Sequence, residues 1–346
     1  MSLYPLLSAG WFFLFVLGHW PFAGSDPASS LVVYHIHLLL TMGVVAVALL
    51  GEEPLPAPLW RGSRGWLYPV LVAAVLLLIS VTNLDPIKAD IYYKRGMSYA
   101  NSGQWDASIA LFQQALKLAP EQDFYYIFLA GACVERAKIA SSAYERAAWL
   151  EEGRKALERG KALNPLNPDH SAKLGLLYRV WGEMVAEPAE REEKLRRALE
   201  HYGQAARLSP HSPLILTEWG QVHHLLGEVD QAIEKYQRAL QLRREYLEAH
   251  LFLGDAYVAM GELDQAAKAY RQAIELDAQR ALQLKRRAVE GAPDDYVGHQ
   301  GLALLYEVLG ESDQALSEAR RARDLAPASE RAELERFLAQ LEERQK

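Results

Sequence analysis

Residues 89–122 read Ala-Asp-Ile-Tyr-Tyr-Lys-Arg-Gly-Met-Ser-Tyr-Ala-Asn-Ser-Gly-Gln-Trp-Asp-Ala-Ser-Ile-Ala-Leu-Phe-Gln-Gln-Ala-Leu-Lys-Leu-Ala-Pro-Glu-Gln. Tyr92, Gly96 and Tyr99 are large, small and large at helical spacing. Gly103 then interrupts the run, and Ser108, Phe112 and Ala115 resume it until Pro120. Apolar residues at i, i+3 and i+4 place one face of a helix against a neighbour. A glycine between two such runs supplies a turn, and a proline stops the second run. The stretch therefore predicts two antiparallel helices that approach closely where the small side chains lie.

The same register returns five more times, with repeats starting near residues 89, 123, 168, 213, 247 and 296. Small residues recur at repeat positions 8, 20 and 27, and large ones at 4, 7, 11 and 24. This pattern resembles the tetratricopeptide repeat, whose 34-residue unit is a helical hairpin. The resemblance implies an all-α chain, in which a right-handed α-solenoid of six hairpins occupies residues 86–346. Repeats two and three are each 11 residues longer than 34. Eleven residues make about three helical turns, so the apolar faces stay in phase. This reading makes both helices of those hairpins about a turn and a half longer. Ser142 with Glu145 reads as a capping box, and Pro188 as a first-turn proline. Ala281–Val289 reads as a continuation of the preceding second helix, ended by Gly291 and Pro293. Ala319 stands where an aromatic is usual, which predicts a thinner core in repeat six. Residues 329–346, with Ala332, Leu334, Phe337, Leu338 and Leu341 on one face, read as a capping helix over the open end of the stack.

Residues 1–85 are a different polymer. They hold 52 apolar residues and six charged ones, whereas the other 261 residues hold 75 charges. Three uncharged stretches, about 3–23, 31–51 and 66–84, are long enough to span a bilayer as helices. Arg61 and Arg64 in the second loop, against none in the first, orient that loop to the cytoplasm. The repeat region is then extracytoplasmic, on a bacterial inner membrane. His35 and His37 within the second stretch point apart on a helix and form no joint ligand pair.

The net charge of −7 carries no basic footprint for nucleic acid. The one cysteine, Cys133, excludes an internal disulfide and reads as a small buried hydrophobe. No phosphate loop, nucleophile elbow or zinc-binding His-Glu-x-x-His pattern occurs. His223, His250 and His299 fall on packing positions, and His224 beside them. No cofactor, metal or catalytic residue is expected.

The repeat resemblance implies that a protein or peptide partner lies along the concave face of the first helices, at positions 2, 5, 9, 12 and 13. Those positions hold Tyr93, Met97 and Asn101; Ile127 and Glu135; Arg179; Thr217, Gln221 and His224; Leu251 and Asp255; and Gln300 and Glu307. The Lys and Asn set with which such domains clamp a C-terminal carboxylate is not found, which favours an amphipathic helix or extended peptide. The junction Asn83-Leu84-Asp85-Pro86-Ile87-Lys88-Ala89-Asp90-Ile91-Tyr92-Tyr93-Lys94 also resembles the C-terminal part of bacterial O-antigen ligase/polymerase-like membrane proteins with repeat tails. That family places catalytic Arg and His residues in extracytoplasmic loops that three short-looped spans do not supply. Three readings follow. The first is a non-catalytic membrane-anchored scaffold, with lipid around residues 1–85. The second is part of a split glycan enzyme. The third is an integral subunit of a larger membrane-protein complex.

Overall fold

The computed structural model describes residues 85–344, and these form thirteen α-helices. The stretches 3–23, 31–51 and 66–84 lie outside the described residues. No helix among the described residues is long and apolar enough to cross a membrane. The chain divides into two compact units, one ending at Pro120 and one spanning Glu121–Lys346. The unit boundary thus falls one hairpin beyond the change in composition at Asp85.

The first unit contributes a hairpin of α1 (Asp85–Asn101) and α2 (Trp105–Leu118). In the second unit, α3 (Asp123–Lys138) pairs with α4 (Ala143–Leu163), and α5 (Pro168–Met184) with α6 (Pro188–Leu208). Next come α7 (Pro213–Leu225) with α8 (Val229–Leu242), and α9 (Leu247–Ala259) with α10 (Leu263–Gly291). The last pair is α11 (Tyr296–Leu309) with α12 (Ser312–Leu325), followed by α13 (Arg331–Arg344). Within the second unit the first helices α3, α5, α7, α9 and α11 touch in that order, and α4, α6, α8 and α10 each touch the first helix that follows. This is the layered stacking of a helical-hairpin solenoid.

Glycine facing an aromatic ring sets the distance between the helices of a hairpin. A Cβ on Gly96 would lie 2.7 Å from Phe112, on Gly175 2.8 Å from Tyr202, and on Gly220 2.5 Å from Tyr236; Gly254 is closer still to Tyr270. Tyr202, Tyr236 and Tyr270 are fully buried. Hairpin two has Ala130 and Leu157 in the same register, and hairpin six has Ala303 and Ala319, all buried. In hairpin two the smaller knob permits a larger floor, so the pair conserves volume as close packing requires, whereas the two alanines of hairpin six are a smaller pair.

Local signals place the ends. Gly103, Gly227, Gly261 and Gly310 have φ of 73–78° and turn the four short hairpins. That left-handed conformation is one glycine adopts without strain. The Ser142, Asn167, Ser212 and Asp295 side chains accept hydrogen bonds from backbone N–H groups at the starts of α4, α5, α7 and α11. Proline opens α5, α6 and α7. The Ser142–Glu145 box is half made: Ser142 caps the Glu145 N–H, but the Glu145 carboxylate pairs with Arg136 at 2.8 Å.

Four expectations are corrected. The 11 extra residues of hairpins two and three are not shared equally between the helices. The first helices have 16 and 17 residues against 13 in α7, while the second helices have 21 against 14 in α8. That is about one added turn and two added turns, which also keeps the faces in phase. Residues 281–289 do not continue the preceding helix. Asp277 is extended (φ −164°, ψ 95°) and breaks α10, and its carboxylate accepts the Arg280 N–H at 2.9 Å as the N-cap of a separate helix. We call this second part, residues 278–291, α10b. In α13, Leu334, Phe337, Leu338 and Leu341 are buried as expected, but Ala332 is exposed. The small side chain of Ala319 leaves no thin core, because Phe337, Leu338 and Leu341 of α13 complete the cluster around it.

Helix propensity alone would make Gly220→Ala stabilising by about 1 kcal/mol. The Tyr236 contact predicts instead a net loss of about 1–3 kcal/mol in urea unfolding. Tyr236→Leu in the same chain should restore part of it, with a favourable coupling of about 1 kcal/mol in the double-mutant cycle. Additive effects would show that the ring and the glycine do not set each other's place.

Candidate functional site

The first helices of the second unit present one continuous face, and on it lies an open cleft of about 670 Å³. One wall carries Arg179 and Glu183 of α5, Gln221 and His224 of α7, and Phe252 and Asp255 of α9. The other wall is α10b and the turn after it, from Lys285 through Arg287, Val289 and Ala292 to Asp295. Arg191, in the first turn of α6, also lines it. It reaches there because Gly182 lets α6 pass close to α5; a Cβ would lie 3.0 Å from Leu195 and 3.3 Å from the Arg191 carbonyl.

Lys285 anchors the second wall. It is only 6% exposed, and its ammonium forms an ion pair with Asp255 on α9. Tyr270 donates its hydroxyl to the same carboxylate oxygen at 2.5 Å. The ammonium also lies 5.8 Å from the centre of the Tyr270 ring, within cation–π range. Gly301 on α11 makes room for this cluster, since a Cβ there would lie 2.7 Å from both the Lys285 ammonium and the Tyr270 hydroxyl. Burial, and then the Asp255 charge, push the Tyr270 phenol well above its ordinary value, so it remains a proton donor to Asp255. Ala281 and Val289, one helical turn either side of Lys285, join the surrounding apolar core.

Across the cleft, Arg179 donates to Glu183 at 2.7 Å. Burial opposes the Arg179 charge, but the carboxylates of Glu183 and Glu218 and the Tyr202 phenol hold its pKa above the ordinary value. His224 is half-buried, and burial lowers its pKa; Lys285 adds to this, against Asp255 and Asp295. His224 is therefore held neutral at pH 7, able to donate one hydrogen bond and accept another.

Of the residues expected on the binding face, Arg179, Gln221, His224 and Asp255 line the cleft together. Thr217, Leu251 and Gln300 are buried between helices and offer little to a ligand. Glu135 is paired with Lys138 at 2.6 Å, Glu307 is paired with Arg344 of the capping helix, and Ile127 is half-buried. Tyr93, Met97 and Asn101 lie on α1 in the first unit: Tyr93 and Met97 are half-buried, Tyr93 tilted against Phe112 at 6.0 Å, and Asn101 is exposed. Sequence reasoning missed Glu183, Arg191, Lys285, Arg287 and Asp295. The signal available for all five was the added residues of hairpin three and the 15-residue insertion before hairpin six.

The remaining polar side chains serve the stack. His170 is fully buried at 2.8 Å from the Asp123 carboxylate. Burial raises the Asp123 pKa, but hydrogen bonds from His170, Asn167 and Asn164 bring it below the ordinary carboxylate value. His223 pairs with Glu228 and His299 with Glu318, at 2.7 and 2.6 Å. His250 and His299 each place Nε2 near the carbonyl six residues back, Arg244 and Pro293, at 2.9 and 3.0 Å. Cys133 is fully buried, and burial pushes its thiol up to about 12, which leaves it unreactive. Among the described residues no group of three or more His, Cys, Asp and Glu could hold a metal ion.

With this geometry in place, the comparisons with known proteins agree on the repeat. The family described as TPR repeat matches residues 220–261 and 254–284, and the family described as Tetratricopeptide repeat matches 89–122. The chain is similar to the Photosystem I assembly protein Ycf3 of Synechococcus sp. (strain CC9605), 28% identical over 155 residues, which cover 44% of this chain and 84% of that protein. It is also similar to the human Protein O-mannosyl-transferase TMTC1, 24% identical over 178 residues, 45% of this chain and 19% of that protein. Among solved structures, the thermophilic TPR protein TTC0263 of Thermus thermophilus aligns with a TM-score of 0.48 at 23% identity, covering 58% of this chain and 97% of that one.

Two outcomes follow from the cleft. Lys285→Ala leaves Asp255 without its cation and should cost about 3 kcal/mol in denaturant unfolding; a loss under about 0.5 kcal/mol would mean that α10b is not held by this pair. The depressed His224 pKa means that the unfolded chain binds the extra proton first. Stability is then fully present above the ordinary histidine value of 6.5 and falls as the pH drops below it. Thermal melts of the full chain should show this fall, and His224→Gln should flatten it.

Proposed function

We propose, for a chain that carries tetratricopeptide repeats, that it is a non-catalytic scaffold holding protein partners together during assembly of a complex. The observation that carries this reading is the cleft. Three successive first helices and α10b line it with a mixture of apolar, hydrogen-bonding and charged groups, the mixture with which a peptide segment is held in an extended or helical form. Its carboxylates are engaged with Arg179, Lys285, Tyr270 and a backbone N–H rather than arranged as a base beside a nucleophile. The likeness to proteins named for photosystem I assembly supports a role in bringing components together. On this reading residues 3–84 anchor the chain in a bacterial inner membrane by three spans, with the repeats on the extracytoplasmic side. The expected partner is a membrane protein or a segment of one.

Purification of the tagged full chain from its own membranes in mild detergent, followed by mass spectrometry, tests this. A stoichiometric protein partner should appear and should fall at least about fivefold with Phe252→Ala, which removes an aromatic wall of the cleft. Undiminished recovery with that variant would contradict the assignment of the cleft. Recovery of a membrane glycosyltransferase lacking its own repeat region would favour the reading as one part of a split glycan enzyme. Proteolysis of sealed right-side-out vesicles should reach the repeat region; full protection would place it in the cytoplasm.

A further inference from the structure

We infer that the cleft selects an acidic peptide segment, held by Arg191 of α6 and Arg287 of α10b. The inference rests on the scaffold reading and specifies its partner. The carboxylates of the cleft are already engaged: Glu183 with Arg179, Asp255 with Lys285 and Tyr270, and Asp295 with the Val297 N–H at the start of α11. Two of its four permanent cations are engaged by the same contacts. Arg191 and Arg287 are exposed, line the same cleft, and form no ion pair among the described residues. The cleft therefore offers two uncommitted guanidinium groups and no uncommitted carboxylate. An arginine can clamp a carboxylate through two parallel N–H bonds.

The rest of the lining adds apolar and neutral groups to the engaged ion pairs. Phe252, Leu225 and Val297 supply apolar surface, and Gln221 and neutral His224 supply hydrogen bonds for a peptide backbone. The occupant that fits is a short segment that carries both acidic and apolar side chains. This differs from the lysine and asparagine clamp for a chain terminus, because one arginine comes from a second helix and the other from the inserted helix α10b.

Fluorescence anisotropy with the full chain tests this, using three labelled dodecapeptides of alternating apolar residues with Glu, Gln or Lys. The Glu peptide should bind about tenfold tighter than the Gln peptide at low salt, and the Lys peptide weaker than either. Arg287→Glu and Arg191→Glu should each lower binding of the Glu peptide about tenfold with unchanged thermal melts. Arg286→Glu, on the neighbouring surface of α10b outside the cleft, should leave it unchanged. Equal binding of the Glu and Gln peptides, no binding of the Glu peptide, or indifference to Arg287→Glu would overturn the inference. Equal binding that Phe252→Ala still abolishes would leave the cleft as a docking site and remove only its preference for acid.

Discussion

The contact between a glycine on one helix and an aromatic ring on its partner is the constraint from which the rest of the stack follows. With no Cβ in the way, Gly175, Gly220 and Gly254 let Tyr202, Tyr236 and Tyr270 lie flat across the neighbouring helix, fully out of water. Each ring buries on the order of 150–250 Å² and dominates the apolar stabilisation of its hairpin. The same ring carries a hydroxyl that reaches a carboxylate. Tyr202 donates to Glu218 of the next hairpin at 2.7 Å, and Tyr270 to Asp255 of its own hairpin at 2.5 Å. At Tyr270 the residue that sets spacing within a hairpin thus also holds a charged group, Asp255, in the lining of the cleft.

That dual role explains why the insertion after hairpin five can be accommodated. Because α9 and α11 still touch, the extra helix α10b does not separate the two hairpins. It folds onto the binding face, where Lys285 satisfies the carboxylate that Tyr270 already holds. A buried lysine is expensive unless paired. Here the pair, the ring and the space at Gly301 compensate together, and the product is a second wall that a run of plain 34-residue repeats would lack.

The hairpins and their register were legible because they rest on local signals: glycine turns, proline starts and small residues opposite large ones. The break at Asp277 was not. Ala281, Lys285 and Val289 keep the four-residue spacing of a continuing helix, and an extended aspartate needs neither glycine nor proline to adopt its conformation. The burial of Lys285 was hidden for a related reason, since lysine is ordinarily an exposed residue and only the fold reveals its partner. The binding face was legible in part. Register placed Arg179, Gln221, His224 and Asp255 on it, but could not tell that Thr217 and Leu251, on two of the same helices, and Gln300 on α11 are buried between helices.

The central claim, that partners are held on the face of the first helices, is open to one direct measurement. A photo-reactive amino acid placed at Gln221, in the cleft, should crosslink to a protein partner in living cells, whereas one at Gln272, exposed on the second helix of hairpin five, should not. Crosslinks to a partner from Gln272 and none from Gln221 would contradict the account.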